Sequence, residues 1–285
     1  MVGEPSTRLA LAVRPMSKSI NKAVILAAGR GERLRPLTRH IPKPMLPING
    51  RPLLDYLVGL LQLHGVREVA INLHHQPHVI HGYLGDGSRF GLRLTYSLEK
   101  RLLGSAGALR RLAGFLDQTF FVLYGDVLTN LDLSRLADFH RAKGGPITMA
   151  LYREKETSRC GIAEVDSAGR VWRFEEKPSA RVTGSGWAAA GVLVMEPWVL
   201  RFILPKVPCD LGADLFPSLL REGVPIYGYR SAGYFLDVGS LERYLKAQRD
   251  VASGLVRLGA CRMDEGWLLI GRVPRSLVGE TRAAG

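Results

Sequence analysis

A glycine-rich turn followed by basic residues has the residue types and spacing of a phosphate site. Residues 26–38 read LAAGRGERLRPLT, in which Gly29 and Gly31 leave backbone N–H groups open to an anion. Arg33 lies in the same turn, and Lys43 stands between two prolines. Because proline restricts its own backbone and that of the residue before it, we expect Lys43 to be held extended with its ammonium in one place. These residues could neutralise a polyanion.

Two better-known phosphate loops do not fit this turn. The dinucleotide-binding fingerprint needs a third glycine three residues after the second, and Leu34 occupies that position. The Walker loop needs Gly-Lys followed by Ser or Thr, which the segment lacks. The turn is therefore a phosphate loop of another kind or a plain strand-to-helix turn.

Two aspartates stand where strands are expected to end. Asp126 follows the apolar run TFFVLY at residues 119–124, and Asp237 lies in a second place of this kind, in the predicted strand 234–238. Ligands of open α/β sheets bind beyond the carboxyl ends of strands. Carboxylates at such a place could hold Mg²⁺ together with phosphate oxygens. Either aspartate alone could equally be a turn cap.

The elements that must position these residues follow an α/β pattern. Apolar runs of the buried-strand type alternate with helical spacing, which predicts a largely parallel sheet flanked by helices. The predicted strands of the first half are 22–27, 68–73, 92–97 and 119–124, and its helices are 53–64, 77–84 and 106–116. After residue 142 we predict strands at 147–152, 161–166, 171–175, 187–195, 226–230 and 234–238, with helices at 214–221 and 241–251. A nucleotide-type half thus precedes a more β-rich half.

Composition limits the class of protein. With 285 residues, 46% of them hydrophobic and 23% charged, the chain can bury a sizeable core, and disordered, collagen-like and disulfide-scaffold classes are excluded. No apolar run approaches the ~20 residues of a membrane helix, and three cysteines without a CxxC pair suit a reducing cytoplasm. The net charge of +13 favours anionic partners. Since the arginines are spread from Arg8 to Arg282 and are not clustered with aromatics, we expect phosphorylated small molecules and not nucleic acid or a membrane.

Taken in order, the motifs resemble those of the sugar-1-phosphate nucleotidyltransferases, or NDP-sugar pyrophosphorylases. The first and longest reads GxGxRLxPLTxxxPKPMLPxxGxPL from Gly29 onward. The others are LGSAGAL at 103–109, GDVLTN at 125–130, FEEKP at 174–178 and GYFLDVGS at 233–240. These matches extend over residues 21–250.

The resemblance implies a Rossmann-like mixed, mostly parallel sheet of the nucleotide-diphospho-sugar transferase type, with a β-rich sugar-binding insertion. One catalytic domain would occupy residues 21–250, with its nucleotide-binding half at 21–140 and its sugar-phosphate-binding half at 141–250. We expect residues 1–20 to be a basic, disordered leader and residues 251–285 to be a C-terminal tail.

The reaction implied by the resemblance is an Mg²⁺-assisted in-line displacement, in which a sugar 1-phosphate attacks the α-phosphorus of a nucleoside triphosphate and pyrophosphate leaves. Arg33, Lys43 and Asp126 would then be catalytic, and Asp126 with Asp237 would hold the metal. The residues implied to contact the nucleotide are Leu26, Ala28, Gly29, Gly31, Gly104 and Gly107. Those implied to contact the sugar phosphate are Gly161, Glu176 and Lys177.

Departures from the family pattern bear on the substrates. Cys160 stands where many relatives have an aromatic residue, and residues 189–191 read Ala-Ala-Gly where guanylyltransferase-like members read Asn-Ala-Gly. Residues 106–108 read Ala-Gly-Ala where thymidylyl- and uridylyl-type members often read Ala-Gln-Ala. The missing glutamine and the long PKPMLP loop favour GTP and mannose 1-phosphate.

Other functions are compatible with the same resemblance. The alternatives are a glucose-1-phosphate thymidylyl- or uridylyltransferase, another sugar-1-phosphate nucleotidyltransferase, and a catalytically silent regulatory homologue. The silent homologue is disfavoured because Arg33, Lys43, Asp126 and Asp237 are all present. A homo-oligomer is compatible with the sequence.

Overall fold

The computed structural model describes residues 19–178 and 186–256. The strands are β1 (Lys22–Leu26), β2 (Pro47–Ile48), β3 (Arg51–Pro52), β4 (Glu68–Leu73), β5 (Arg93–Leu98), β6 (Phe120–Tyr124), β7 (Val127–Thr129), β8 (Ile147–Glu154), β9 (Gly161–Val165), β10 (Val171–Glu176), β11 (Gly186–Met195), β12 (Ile226–Arg230) and β13 (Phe235–Asp237). The helices are α1 (Leu53–Leu63), α2 (Pro77–Leu84), α3 (Ser105–Arg111), α4 (Leu133–Lys143), α5 (Phe216–Arg221) and α6 (Leu241–Ala252).

Nine of the strands form one mixed sheet. Its first part has the order β6-β1-β4-β5, and all three neighbouring pairs are parallel. Beyond β6 the sheet continues with the antiparallel strand β11, which is followed by β9 and β10. Strand β8 also pairs with β11, and β12 pairs with β8. The expected mixed α/β fold is confirmed.

Strand β11 joins the parallel and the mixed parts of the sheet. Its residues 192–195 pair with β6, whereas Trp187 and Ala188 pair with β9. Strand β8 pairs with β11 on both sides of a register shift between Ala189 and Leu193. Gly191 lies within this shift at φ +62°, a left-handed conformation that glycine adopts without strain. One strand therefore belongs to both halves.

The sheet separates two hydrophobic cores. Because side chains alternate along a strand, Ala23 and Ile25 of β1 enter one core and Val24 enters the other. Helices α1, α2 and α4 pack into the first core, and α3 and α5 pack into the second. A third, smaller core lies between α6 and the two-stranded ribbon of β7 and β13, where Ala247 packs near Leu128 and Leu236.

Some elements differ from the prediction. Helix α3 ends at Arg111 and not at residue 116, because residues 112–116 continue as tight turns around Gly114, a weak helix former. The helix predicted from residue 214 begins with a π-helical turn, Leu211–Leu215, before α5. Helix α4 was not predicted, although Asp132 caps it by accepting a hydrogen bond from the Arg135 amide.

The expected termini fall mostly outside the described residues. Residues 1–18 and 257–285, which contain most of the predicted leader and tail, are among those that the structure does not describe. Across the described ranges, no helix combines the length and apolar character that a membrane crossing requires.

A partly buried carboxyl on α1 makes stability depend on pH. Asp55 accepts a hydrogen bond of 2.7 Å from the Tyr83 hydroxyl through Oδ2, while its buried Oδ1 has no hydrogen-bond partner. Burial raises the pKa of Asp55 to about 6, against the opposing effects of Tyr83, Arg89 and Arg51. Since the folded state then binds the proton more tightly than the unfolded state, stability falls as pH rises from about 4 to about 6 and stays lower above that.

We therefore expect Asp55→Asn to raise the free energy of unfolding at about pH 8 by up to ~3 kcal/mol, and by about half as much at about pH 5. Urea unfolding at both pH values measures the difference. Asp86→Asn is the control. Hydrogen bonds from Ser88 lower the pKa of this exposed carboxyl, so its replacement should not raise the free energy of unfolding in this way. An equal effect of Asp55→Asn at the two pH values would contradict the assignment.

Candidate active site

The loop after β1 is shaped by its two glycines for different reasons. Gly31 has φ +64°, and a Cβ placed on it would lie 3.0 Å from Cγ2 of Thr38. The Thr38 hydroxyl donates a 2.7 Å hydrogen bond to the Gly31 carbonyl, which closes the loop. A Cβ on Gly29 would meet nothing within 4 Å. Gly31 is thus required by the turn, whereas Gly29 borders open space.

A cavity of about 460 Å³, the loop cavity, opens on this segment. It lies on the carboxyl-end side of β1 and β6, where ligands of such sheets bind. Its bordering residues are Gly29, Arg30, Gly31, Glu32, Arg33, Leu34, Lys43, Leu102, Asp126 and Gly239. Basic groups and exposed backbone therefore surround it.

A second cavity of about 200 Å³, the insertion cavity, lies against the β-rich half. Strands β8 to β11 supply a large part of its wall, together with Tyr124 and Phe235. Arg33 and Asp126 border this cavity as well as the loop cavity. The two cavities therefore meet at one arginine and one aspartate.

Lys43 lies beside that meeting point with two carboxylates. Its Nζ is 2.6 Å from Oδ2 of Asp126 and 3.6 Å from Oδ1 of Asp237, and its side chain is only 9% exposed. Asp237 pairs with Val127 across the β7–β13 ribbon, and the Val238 amide donates to the Asp126 carbonyl at 2.8 Å. The ribbon thus brings together two aspartates that are far apart in sequence.

Two expectations about this cluster need correction. Asp237 does not follow a strand of the main sheet as Asp126 does, because its strand pairs only with β7 in a separate ribbon. Lys43 is not extended; it begins a 3₁₀ turn, Lys43–Met45, in which the Met45 amide donates to the Pro42 carbonyl at 2.8 Å. The ammonium is held in place by this turn and by its burial.

Negative charge is crowded around Asp237. Burial raises the pKa of Asp237, and the neighbouring Asp126 raises it further, while Lys43, Arg243 and Arg33 lower it by less. Its Oδ1 atom is buried and accepts no hydrogen bond. A cation beside these carboxylates would lower the pKa of Asp237 and would give its Oδ1 atom a partner.

The donor set suits a hard cation that shares its coordination with other ligands. Across residues 19–178 and 186–256, no group of three or more His, Cys, Asp or Glu side chains is placed to hold a metal. Asp126 and Asp237 offer carboxylate oxygens only, which Mg²⁺ takes together with phosphate oxygens and water. The residues present therefore fit Mg²⁺ held partly by a substrate.

Glu176 and Lys177 lie in the insertion cavity with Gly161. A Cβ on Gly161 would come within 2.8 Å of the Glu176 carboxylate, and one on Gly212 within 2.3 Å. Burial raises the pKa of Glu176, although Lys177 opposes it. The Lys177 ammonium is 3.6 Å from Oε1 of Glu176 on a side chain that is 65% exposed. The pair presents one charge of each sign to the cavity.

The sequence model described as "Nucleotidyl transferase" matches residues 22–254. The chain belongs to the nucleotidyl transferase family. Its relatives include the UTP–glucose-1-phosphate uridylyltransferase of Synechocystis sp., which is 37% identical over 81% of this chain and 63% of the relative. The mannose-1-phosphate guanylyltransferase of Mycobacterium tuberculosis is 36% identical over 87% of this chain and 69% of the relative. The chain thus spans about two thirds of the length of these curated relatives.

The fold of this nucleotidyl transferase also occurs among solved structures. The crystal structure of HddC from Yersinia pseudotuberculosis complexed with GMP-PN superposes with a TM-score of 0.70 at 23% identity. The similarity covers 81% of this chain and all of the HddC chain. It confirms the expected fold, while the roles of individual residues stay predictions.

Four residues predicted to contact the nucleotide border neither cavity. Leu26 ends β1 and Ala28 is buried, while Gly104 and Gly107 pack against Cys209. Gly104 has φ +80°, and a Cβ on it would lie 2.3 Å from the Cys209 carbonyl oxygen. The Gly107 amide donates to that same oxygen at 3.0 Å. The absence of a side chain at 104 thus has a packing reason in this nucleotidyl transferase.

A buried polar relay was missed by the sequence analysis. The Glu99 side chain accepts hydrogen bonds from Nδ2 of Asn72 at 2.8 Å and from the Leu103 amide at 3.0 Å. Asn72 in turn accepts one from the Ala27 amide at 2.7 Å. Since Glu99 is only 2% exposed, the relay connects the glycine-rich loop with the segment that carries Leu102 into the loop cavity. A polar residue near the end of the apolar strand β4, and a glutamate directly after β5, were the available signal.

Proposed function

We propose that this chain transfers a nucleotidyl group from a nucleoside triphosphate to a sugar 1-phosphate and releases pyrophosphate. The observation that carries the proposal is the meeting of the loop and insertion cavities at Arg33 and Asp126, beside Lys43. The triphosphate would occupy the loop cavity, and the sugar phosphate the insertion cavity. The reacting atoms would then lie between them.

The reaction needs the two substrates to be aligned and the negative charge of their phosphates to be neutralised. It does not need a nucleophile from the protein. An oxygen of the sugar phosphate attacks the α-phosphorus and forms a new P–O bond. The bond between the α-phosphorus and the oxygen bridging to the β-phosphorus breaks, and pyrophosphate leaves with the electron pair. Positioning and electrostatic stabilisation supply most of the acceleration in such transfers. Arg33 and Lys43 provide two positive charges where the phosphates meet.

The metal proposed for this site is Mg²⁺, which Asp126 and Asp237 would hold. Support comes from their oxygen donors and from the Oδ1 atom of Asp237, which accepts no hydrogen bond. When bound, the ion would neutralise charge on the phosphate oxygens.

The remaining contacts follow from the cavities. Gly29 and Gly31 would bind the triphosphate through their backbones, with Leu26, Ala28, Gly104 and Gly107 nearby on the nucleotide side. Lys177 would bind the phosphate of the sugar substrate. Glu176 would accept a hydrogen bond from a sugar hydroxyl, which the close packing of Gly161 against its carboxylate allows.

GTP and mannose 1-phosphate are the substrates that we propose. Gly107 in place of glutamine and the similarity to the mycobacterial guanylyltransferase support this pair. The similarity to the cyanobacterial uridylyltransferase makes UTP with glucose 1-phosphate the second candidate.

A substrate panel tests both levels of the proposal. Pyrophosphate release is measured for GTP, UTP, dTTP and ATP, each with mannose 1-phosphate and glucose 1-phosphate, with Mg²⁺ and then with a chelator. We expect the highest kcat/KM for GTP with mannose 1-phosphate, and a loss of about tenfold or more on chelation. A preference for UTP or dTTP would refute the proposed substrates. Absence of release with every pair would refute the reaction itself.

A further inference from the structure

An ion pair behind the insertion cavity connects its wall with the proposed metal site. Nη2 of Arg243 on α6 lies 3.2 Å from Oε2 of Glu154 at the end of β8. Both side chains are largely buried, with exposures of 17% and 16%. The family motifs described above include neither residue, and neither borders the loop cavity or the insertion cavity. Such a pair is weak evidence for stability, because replacing it can be neutral.

Glu154 organises the cavity wall through both of its oxygens. Oε1 accepts hydrogen bonds from the amides of Lys155 at 2.8 Å and Glu156 at 3.0 Å, at the start of the segment that leads to Cys160. Oε2 accepts a hydrogen bond from the Tyr152 hydroxyl at 3.2 Å. That hydroxyl also lies 3.4 Å from Sγ of Cys160. Tyr152 and Cys160 both border the insertion cavity.

The same network reaches Asp237. The Tyr152 ring packs on Phe235 with their centroids 4.1 Å apart, and Phe235 lies two residues before Asp237 in β13. The Arg243 guanidinium also lowers the pKa of Asp237, although burial and Asp126 raise it by more. One guanidinium thus acts on a carboxylate behind the cavity and on a carboxylate at the site.

Glu154 is charged in this arrangement. Burial acts to raise the pKa of Glu154, but the amides of Glu156 and Lys155, the Arg243 guanidinium and the Tyr152 hydroxyl outweigh it, so that the pKa lies below its usual value. The contact with Arg243 is therefore an ion pair at neutral pH. Backbone hydrogen bonds from Lys155 and Glu156 fix the Glu154 carboxylate, and helix α6 carries Arg243.

We propose that Glu154 and Arg243 are positioning residues that hold the Tyr152–Cys160 wall against Asp237 and thereby set the affinity for the sugar 1-phosphate. This inference rests on the proposed function. Neither residue touches the substrate; each acts through the wall. Breaking the pair lets Tyr152 and Cys160 move away from the cavity, while the nucleotide loop keeps its own contacts.

Arg243→Met and Glu154→Gln test the inference, because both keep the approximate size of the side chain and remove the ion pair. For each variant we expect KM for the sugar 1-phosphate to rise about tenfold, equivalent to about 1.4 kcal/mol, and KM for the nucleoside triphosphate to change by less than about twofold. Titration calorimetry of the sugar 1-phosphate with a chelator present should show the same loss of affinity without any metal. Arg243→Lys should keep part of the affinity for the sugar 1-phosphate that Arg243→Met loses.

Arg249→Met on the same helix is the matched control, since Arg249 is exposed and lies two turns away. Thermal unfolding of every variant shows whether a loss is general. Active wild-type enzyme with unchanged sugar 1-phosphate affinity in both test variants would overturn the inference alone. Wild-type protein that neither turns over nor binds any sugar 1-phosphate would overturn the proposed function and this inference with it.

Discussion

Asp126→Asn is expected to lower turnover by about tenfold or more, at least 1.4 kcal/mol of transition-state stabilisation, while the protein still folds. Asparagine has the shape of aspartate but not its charge, so the proposed metal would lose one of two protein ligands. The Lys43 ammonium, 2.6 Å from this carboxylate, would lose its closest counter-charge. Because the Asp126 side chain is 32% exposed, water can replace much of the interaction with Lys43 that the substitution removes, so the protein should still fold.

Steady-state kinetics over a range of Mg²⁺ concentrations measures this effect, and thermal unfolding checks the fold. Asp138→Asn is a suitable control, because Asp138 lies on α4 with its side chain 48% exposed and borders neither cavity. Asp138→Asn should keep wild-type turnover. A rate for Asp126→Asn within about twofold of wild type would rule out the assigned role of this carboxylate.

Lys43→Met is expected to have the largest effect, with a fall in turnover of about a hundredfold or more. The substitution removes a positive charge from the place where the two substrate phosphates are proposed to meet. It also leaves Asp126 and Asp237 facing each other without their shared ammonium, so the protein should lose stability as well. Lys43→Arg should also be impaired, because the larger, planar guanidinium cannot take the place of a compact ammonium that is buried 2.6 Å from the Asp126 carboxylate.

Lys22→Met separates the catalytic effect from the structural one. The Lys22 side chain is also 9% exposed, and its ammonium lies 2.7 Å from Asp117. Lys22 is at the start of β1, whereas the loop cavity lies beyond the end of this strand. Lys22→Met should cost stability without lowering turnover. The double variant Lys43→Met/Asp126→Asn should recover stability, because the charges balance again, but not activity. Turnover in Lys43→Met equal to that in Lys22→Met would remove Lys43 from the mechanism.

The parts of the fold that depend on local pattern were predictable. The apolar runs of β1, β4 and β6 read as buried strands because helices cover both faces of the parallel sheet. Helix α4 could have been found from its cap at Asp132. Its low mean hydropathy hid it, since only one face packs against the core.

The geometry of the candidate site could be predicted only in part. The motifs indicated Arg33, Lys43, Asp126 and Asp237, but pattern cannot show that β13 pairs with β7 across more than a hundred residues. The prediction that Lys43 is extended was wrong, because the rule for residues before proline describes only a local preference. Burial of the ammonium against two carboxylates selects the 3₁₀ turn instead. The sharing of Arg33 by two cavities likewise arises only in the folded chain.

The sharing of β11 between the two parts of the sheet has a mechanical consequence. Strands β6 and β9 hydrogen-bond to opposite ends of the same strand, while β8 follows it along its other edge. Rotation of one half against the other would have to break this ladder, which makes a hinge between the halves costly. We therefore expect loops to move when substrates enter and products leave, because loop motions are faster than those of whole domains. The distance between the loop cavity and the insertion cavity is set once, by folding, and does not have to be re-established each time a ligand binds.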